Sequence, residues 1–346
     1  MEAEKGPSYI VTGDLAIRVN RWARAHGFSV PPRQFFGLLR EGLTKELERI
    51  FLPRGVQVMF IPWRVTKRTL LDMIEAHRDG LPVISLDDIF VEDADLRFST
   101  TRLVAHHKEP REPDVPTWTD LGKGPRDGAL GIESQLQAIL RSSALSETHR
   151  VIIVDDGVWS GGTFYALDQV LRERGILIEK FLVALLIQQS APSKEFMTIA
   201  DRIVAPSESV HAPGSVTDWV VEGDFFVGVI GGGRTLGQKI DEHENDKGAL
   251  SRFYQNTPMR GNLCAPYLLP LGDPVEWANI PEEEAVKFSR VCLQLSAQLY
   301  RGIEAETERV LGHPEPVRIR DLDRVPYFFR KQDARILDEI EASLAK

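Results

Sequence analysis

Two adjacent acids follow an apolar run near the middle of the chain. Residues 151–154 (VIIV) lead directly into Asp155 and Asp156. A run of this kind is typical of a strand that is buried on both faces of a parallel sheet. Open α/β sheets bind their ligands at the carboxyl ends of such strands. Two carboxylates there can accept hydrogen bonds from neighbouring hydroxyls, such as the 2′ and 3′ hydroxyls of a ribose, or lie near a divalent metal ion.

The residues after the acids have the composition of an anion site. A Ser-Gly-Gly-Thr turn at 160–163 leads into a predicted helix at 163–174. The free amides and the dipole at a helix N-terminus favour a phosphate, and glycine lets the backbone approach it closely. The acids and the turn together therefore predict a site for a ribose 5-phosphate. A strand, turn and helix with an acidic cap and no ligand is the alternative.

Segment 151–163 (VIIVDDGVWSGGT) resembles the PRPP-binding loop of the type I phosphoribosyltransferases. In that family an apolar strand leads into two acids, a few further residues and a turn of the form Thr/Ser-Gly-Gly/Lys-Thr. The resemblance implies that Asp155 and Asp156 hold the ribose hydroxyls of phosphoribosyl pyrophosphate (PRPP). It also implies that the residues of the turn hold the 5′-phosphate. These residues are Ser160, Gly161, Gly162 and Thr163.

Two residues of this segment depart from the family pattern. Gly157 stands where the family usually has an aliphatic residue, and Trp159 stands where many purine-specific members have an acid. That acid is thought to handle a proton of the base. An indole only donates hydrogen bonds, so Trp159 excludes proton transfer to a purine at this position. The departure bears on the class of acceptor more than on PRPP binding.

The function implied by the resemblance is transfer of a phosphoribosyl group from PRPP to a nitrogen nucleophile, with a nucleobase as the favoured acceptor. Pyrophosphate leaves, and Mg²⁺ and cationic side chains stabilise the charge that develops on it. PRPP would hold most of the Mg²⁺ coordination, with help from Asp155 and no other direct protein ligand. The expected partners of this enzyme of nucleotide metabolism are therefore PRPP and a small-molecule acceptor.

Two segments supply candidate cations for the pyrophosphate. Arg64 and Lys67 follow the predicted strand at 56–61, where the family has its pyrophosphate loop. The proline- and glycine-rich stretch 99–131 takes the place of the family's mobile catalytic loop. The candidate catalytic residues in it are Arg102, Lys108 and Arg111. Solvated surface charge is the alternative for each of these cations.

Weaker signals lie further along the chain. Trp219 stands in a segment that faintly resembles the one with which some purine enzymes stack the base, and core packing is the alternative. Gly231, Gly233 and Gly237 follow an apolar run and suggest a dinucleotide loop of a nicotinamide enzyme, but the βαβ context is missing. A non-catalytic PRPP or nucleotide sensor on the same fold is the main rival to the enzyme.

The elements that must position these residues alternate between strand and helix. This alternation predicts an α/β fold with a mainly parallel twisted sheet and helices on both faces. The resemblance implies type I phosphoribosyltransferase topology. We predict an N-terminal helical segment at 1–50, the α/β domain at 51–235 and a mostly helical extension or hood at 236–346. The predicted strands are 56–61, 81–86, 150–156, 176–187, 202–205, 219–221 and 225–230. The predicted helices are 36–50, 67–77, 132–140, 163–174, 281–309 and 331–344.

Composition limits the remaining possibilities. The 346 residues include 42 Lys and Arg against 51 Asp and Glu, for a formal net charge of −9, so an extended nucleic-acid surface is not expected. The two cysteines exclude a disulfide scaffold and fit a reducing compartment. The N-terminus lacks a signal-peptide pattern, and the longest apolar stretch, 176–187, is too short for a bilayer. We therefore expect a cytoplasmic protein with no membrane partner, and we consider a homodimer.

Overall fold

The structure is a computed structural model that describes seven stretches of the chain. These are residues 6–87, 89–106, 118–125, 129–145, 148–227, 274–322 and 333–345. For 101–106, 118–125, 276 and 277 the backbone alone is described.

Strands and helices alternate over most of this length, as the sequence predicts. The strands are β1 (Ser8–Thr12), β2 (Gln57–Ile61), β3 (Val83–Ser85), β4 (Leu96–Arg97), β5 (Thr100–His106), β6 (Trp118–Pro125), β7 (Arg150–Val158), β8 (Leu177–Ile187), β9 (Ile203–Val204), β10 (Val210–His211) and β11 (Val216–Val221). The helices are α1 (Leu15–His26), α2 (Arg33–Phe51), α3 (Trp63–His77), α4 (Ile132–Leu140), α5 (Gly162–Glu173), α6 (Lys194–Ile199), α7 (Pro274–Ala278), α8 (Ala285–Leu311) and α9 (Ile336–Leu344).

The larger sheet has six strands, in the order β10–β8–β7–β3–β4 with β9 beside β8, and all of its pairs are parallel. Residues 151–154 of the central strand β7 are fully buried. Ile152 packs in one apolar cluster with Leu70 of α3, and Ile153 packs in another with Leu136 of α4 and Leu167 of α5. The expected α/β fold, with parallel strands and helices on both faces, is therefore confirmed.

A second, three-stranded parallel sheet has the order β11–β1–β2. Its middle strand β1 lies within segment 1–50, so the expectation that this segment is helical is wrong for residues 8–12. Tyr9, Ile10 and Val11 are fully buried. The run from Tyr9 to Thr12 consists of aromatic and β-branched residues, which favour a strand, and the helical period of α2 later in the segment obscured this signal. The division of the chain into three parts stays a prediction.

Two further expectations are corrected. Stretch 99–131 is not a loop throughout, because β5 and β6 form an antiparallel pair in which Arg102 lies opposite Lys123. Its β-branched residues, such as Thr100, Thr101 and Val104, favour a strand that the prolines and glycines of the segment obscured. The predicted strand 225–230 begins instead in a 3₁₀ turn at Glu222–Phe225, and its residues 228–230 lie outside the described part. A short apolar run does not distinguish a strand from a buried turn.

Among the described helices, none has the length and apolar character that crossing a bilayer requires.

A buried ion pair fixes the connection between β1 and α1. The Asp14 carboxylate contacts the Arg18 guanidinium one helical turn later, and both side chains are buried. Asp14 Oδ1 also accepts a hydrogen bond of 2.7 Å from the amide of Gly223, which follows β11. Asp14 therefore ties the carboxyl ends of β1 and β11 together.

We predict that Asp14→Ala lowers the free energy of unfolding by about 3–5 kcal/mol, because it leaves a buried arginine without its partner. The measurement is urea unfolding followed by circular dichroism. Glu41→Ala is the matched control, since Glu41 and Lys45 form an exposed pair at the same i,i+4 spacing. It should leave stability nearly unchanged. Equal effects of the two substitutions would contradict the assignment.

Candidate functional site

The two acids lie near the carboxyl end of β7 and inside the strand, because β7 continues to Val158. On one side β7 remains paired with β8, with Asp155 opposite Val183. On the other side the ladder with β3 ends at Val154. Both acids are half-buried, and Asp155 Oδ1 accepts a hydrogen bond of 3.0 Å from the Asp156 amide. The acid pair therefore lies where β7 extends past its shorter neighbour.

The chain then turns into α5, whose first amides have no acceptor in the part of the chain that the structure describes. Gly161 caps the helix in the left-handed region, with φ of +71°. The first hydrogen bond of the helix runs from the Tyr165 amide to the Gly161 carbonyl, at 2.9 Å. Within the described part of the chain, the amides of Gly161, Gly162 and Thr163 donate to no protein acceptor. These donors lie at the positive end of the helix dipole, where an anion is favoured.

Two constraints act on Gly161. Its backbone conformation is one that L side chains rarely adopt, and a Cβ atom there would lie 2.8 Å from Cδ2 of Phe196. At Gly162 a Cβ would approach only Ser160 Oγ, at 3.8 Å. The glycine that the turn requires is therefore Gly161, whereas Gly162 leaves open space in front of the helix.

A cavity of about 520 Å³ opens beside this end of α5. It is lined by hydroxyl, amide and carboxylate groups and by one buried alanine: Ser160, Gly162, Tyr165, Ala166, Gln169, Ser193 and Glu195. Of these residues, the sequence motif predicts only Ser160 and Gly162 as site residues. Tyr165 and Gln169 follow Gly162 at helical spacing, a signal that could have identified them, whereas Ser193 and Glu195 are brought there by tertiary packing alone.

Trp219 of β11 reaches the strand that carries the acids. Its indole N–H donates a hydrogen bond of 2.8 Å to Thr12 Oγ1, and its ring lies over Gly157. A Cβ on Gly157 would lie 2.6 Å from Trp219 Cη2 and 3.0 Å from the Leu185 carbonyl oxygen. Gly157, a departure from the family pattern, is thus explained by close packing of the smaller sheet on β7. That Trp219 stacks a base stays a prediction.

Trp159 is half-buried and packs against an apolar cluster between the two sheets. The buried members of this cluster are Ile10, Leu185, Ile187 and Val216. The second departure from the family pattern therefore also serves the contact between the sheets.

The two candidate pyrophosphate cations, Arg64 and Lys67, both lie on α3 and differ in their surroundings. Lys67 Nζ lies 3.6 Å from Glu92 Oε1, which Arg21 also contacts at 3.2 Å. Desolvation of Glu92 opposes its ionisation, but the charges of Arg21 and Lys67 outweigh it and lower the pKa of the carboxyl. The exposed Arg64 guanidinium lies 5.4 Å from the Trp63 ring centroid and pairs with no acid of the described chain. Of the two candidates, Arg64 is the one available to a ligand.

The candidate catalytic residues of the hairpin are placed only in part. Arg102 belongs to β5, where its backbone alone is described, while Lys108 and Arg111 lie outside the described residues. Gly231, Gly233 and Gly237 lie outside them as well.

The donor set fits the role expected for Mg²⁺. No group of three or more His, Cys, Asp or Glu side chains that could hold a metal occurs among the residues that the structure describes. Mg²⁺ typically takes one or two carboxylates and completes its shell with substrate oxygens and water. The half-buried Asp155 and Asp156 supply such a pair.

Comparisons with known proteins give no match: neither a protein-family model, nor a curated protein, nor a solved structure matches this chain.

We predict that Gly157→Ala lowers the free energy of unfolding by about 1–3 kcal/mol, because the new methyl group overlaps the Trp219 ring. The same substitution should cost less in a Trp219→Phe background, which lacks Cη2, than in the parent. Gly37→Ala is the control, since Gly37 lies in α2 and a Cβ there meets nothing within 4 Å. That change should stabilise the protein by about 0.5–1 kcal/mol. Chemical denaturation measures all of these variants, and a Gly157→Ala protein as stable as the parent would contradict the packing.

Proposed function

We propose that this protein binds PRPP and transfers its phosphoribosyl group to a nitrogen nucleophile, with release of pyrophosphate. The observation that carries the proposal is the set of amides at Gly161, Gly162 and Thr163 that find no acceptor among the described residues, after a strand that bears two half-buried acids. Amides for a phosphate and carboxylates for a diol, on one rigid strand and turn, are what a ribose 5-phosphate requires.

The finer fold assignment, the type I phosphoribosyltransferase topology, is part of the proposal. It is supported by the position of segment 151–163 on the central strand of a parallel sheet and at the carboxyl edge of that sheet. The β5–β6 hairpin, which follows β4 along the chain, stands between β3 and β7 in sequence, where the family has its catalytic loop.

In the proposed complex the 5′-phosphate accepts hydrogen bonds from the amides at the start of α5. Asp155 and Asp156 accept hydrogen bonds from the ribose hydroxyls, which fixes the orientation of C1. Bound Mg²⁺ supplies charge stabilisation for the departing pyrophosphate. Arg64, exposed in the first turn of α3, is available to add a second positive charge. The protein acts mainly by positioning the two reactants, and no protein nucleophile is required.

We predict that the double substitution Asp155→Asn and Asp156→Asn weakens PRPP binding by about 100-fold or more, measured by titration calorimetry with Mg²⁺ present. Removal of two negative charges would by itself favour an anionic ligand, so a loss reports the hydrogen bonds to the hydroxyls and the metal. Asp72→Asn with Asp338→Asn makes the same change of charge at two exposed helical sites and should leave the affinity unchanged. Unchanged affinity in the first double variant would refute the ribose assignment.

A PRPP or nucleotide sensor is the second candidate. Trp159 favours it, because the side chain at this position packs between the sheets and offers no proton acceptor. Pyrophosphate release decides between the two. We expect release from PRPP and Mg²⁺ to rise when the correct member of a panel of nucleobases is added. Tight PRPP binding without base-dependent release would identify the sensor instead.

A further inference from the structure

We propose that Gln135 is a positioning residue for the pyrophosphate end of the site, because its buried side chain on α4 holds Ser99, the residue that leads into the β5–β6 hairpin. The inference rests on the proposed function, since it assigns the hairpin to the leaving group of PRPP. One part of the inference does not depend on that function: the Gln135 side chain holds Ser99, at the start of the hairpin, in place.

The hairpin leaves the larger sheet at the edge where the acids lie. Strand β4 is parallel to β3, and its carboxyl end continues through Phe98 and Ser99 into β5. The Phe98 amide donates a hydrogen bond of 2.9 Å to the Ser85 carbonyl at the end of β3. The hairpin therefore starts at the carboxyl ends of β3 and β4, the same edge of the sheet as Asp155 and Asp156 on β7.

One buried side chain holds the start of the hairpin. Gln135 Oε1 accepts a hydrogen bond of 2.7 Å from the Ser99 amide, and its Nε2 donates to the Ser99 carbonyl at 3.1 Å. The same Nε2 donates to the Leu130 carbonyl at 2.6 Å. Ser99 directly precedes β5, and Leu130 lies two residues before α4, so a single amide group joins the start of the hairpin to the segment that leads into α4.

The chemistry of these contacts requires an amide. Pairing with both the N–H and the C=O of Ser99 needs one acceptor and one donor, and the Leu130 carbonyl needs a second donor. The carboxylate of a glutamate at this position has no N–H, so it could not donate to the carbonyl oxygens of Ser99 and Leu130. Gln135 is only 7% exposed, so water cannot replace the lost bonds at low cost.

Gln135 acts on the ligand through the first residues of β5. Arg102 follows Ser99 by three residues in the chain, and its register partner in β6 is Lys123. A shift of the backbone at Ser99 would therefore also shift the backbone at Arg102, the candidate cation for the pyrophosphate. The acids of β7 and the amides at the start of α5 have no hydrogen bond to Gln135 among the described contacts. Binding of the ribose 5-phosphate part of the ligand should therefore not depend on Gln135.

The test compares two ligands and four proteins: the parent, Gln135→Glu, Gln135→Met and Gln137→Glu. Gln137 lies on the same helix and donates to Glu133 in a half-exposed pair, so it is the matched control. Titration calorimetry gives the affinities for PRPP and for ribose 5-phosphate, which lacks the pyrophosphate. Hydrogen exchange followed by mass spectrometry reports the backbone of 96–104 and 118–131. The methionine variant retains the size of the side chain without a buried charge.

We expect both Gln135 variants to bind PRPP about tenfold more weakly, to keep their affinity for ribose 5-phosphate within about twofold, and to exchange faster in the two hairpin segments. Gln137→Glu should match the parent in every measurement. Equal losses for both ligands, or no loss for PRPP, would overturn the positioning role. If the parent binds neither ligand, both the proposed function and the effect of Gln135 on ligand binding are refuted. Unchanged hydrogen exchange in both Gln135 variants would then also refute the claim that Gln135 holds the start of the hairpin.

Discussion

The candidate site depends on the turn at Gly161. A left-handed residue there lets the chain leave β7 and enter α5 within three residues, and the first amides of the helix find no acceptor among the described residues. Phe196 closes over the other side of this turn, so the backbone conformation and the packing both require glycine. If the turn were replaced by a longer loop, the acids of β7 and the amides of α5 would lose their fixed separation, and a ribose 5-phosphate could not span them.

The smaller sheet supports this arrangement from the side. The Trp219 ring lies over Gly157, and its indole N–H donates a hydrogen bond to Thr12. Strands β11 and β1 therefore both contribute to the surface against which the end of β7 packs. Trp159 contacts the same region. The buried pair of Asp14 and Arg18 then holds the carboxyl ends of β1 and β11 together. The N-terminal segment is therefore part of the scaffold of the site, and it contributes a strand as well as its helices.

Local signals in the sequence predict the strand and helix that carry the candidate site, but they do not predict what surrounds those elements. The run 151–154, the acids and the glycines of the turn identify β7 and the start of α5, because burial on both faces and helix capping leave a mark within a few residues. Strand β1 has a strand-forming run at Tyr9 to Thr12, but no local signal indicates that β2 and β11 flank it in a separate sheet. Gln135 also looks like an ordinary helical residue until the fold brings Ser99 to it. Contacts between distant segments carry no period or motif, so they appear only in three dimensions.

A crystal structure of the protein with a nucleoside 5′-monophosphate would show whether the turn at Gly161 binds a phosphate. We expect phosphate oxygens within about 3.2 Å of the amides of Gly161, Gly162 and Thr163, with the ribose hydroxyls beside Asp155 and Asp156. A phosphate bound at another helix or loop, with these amides left in contact with water, would rule out the proposed ribose 5-phosphate site.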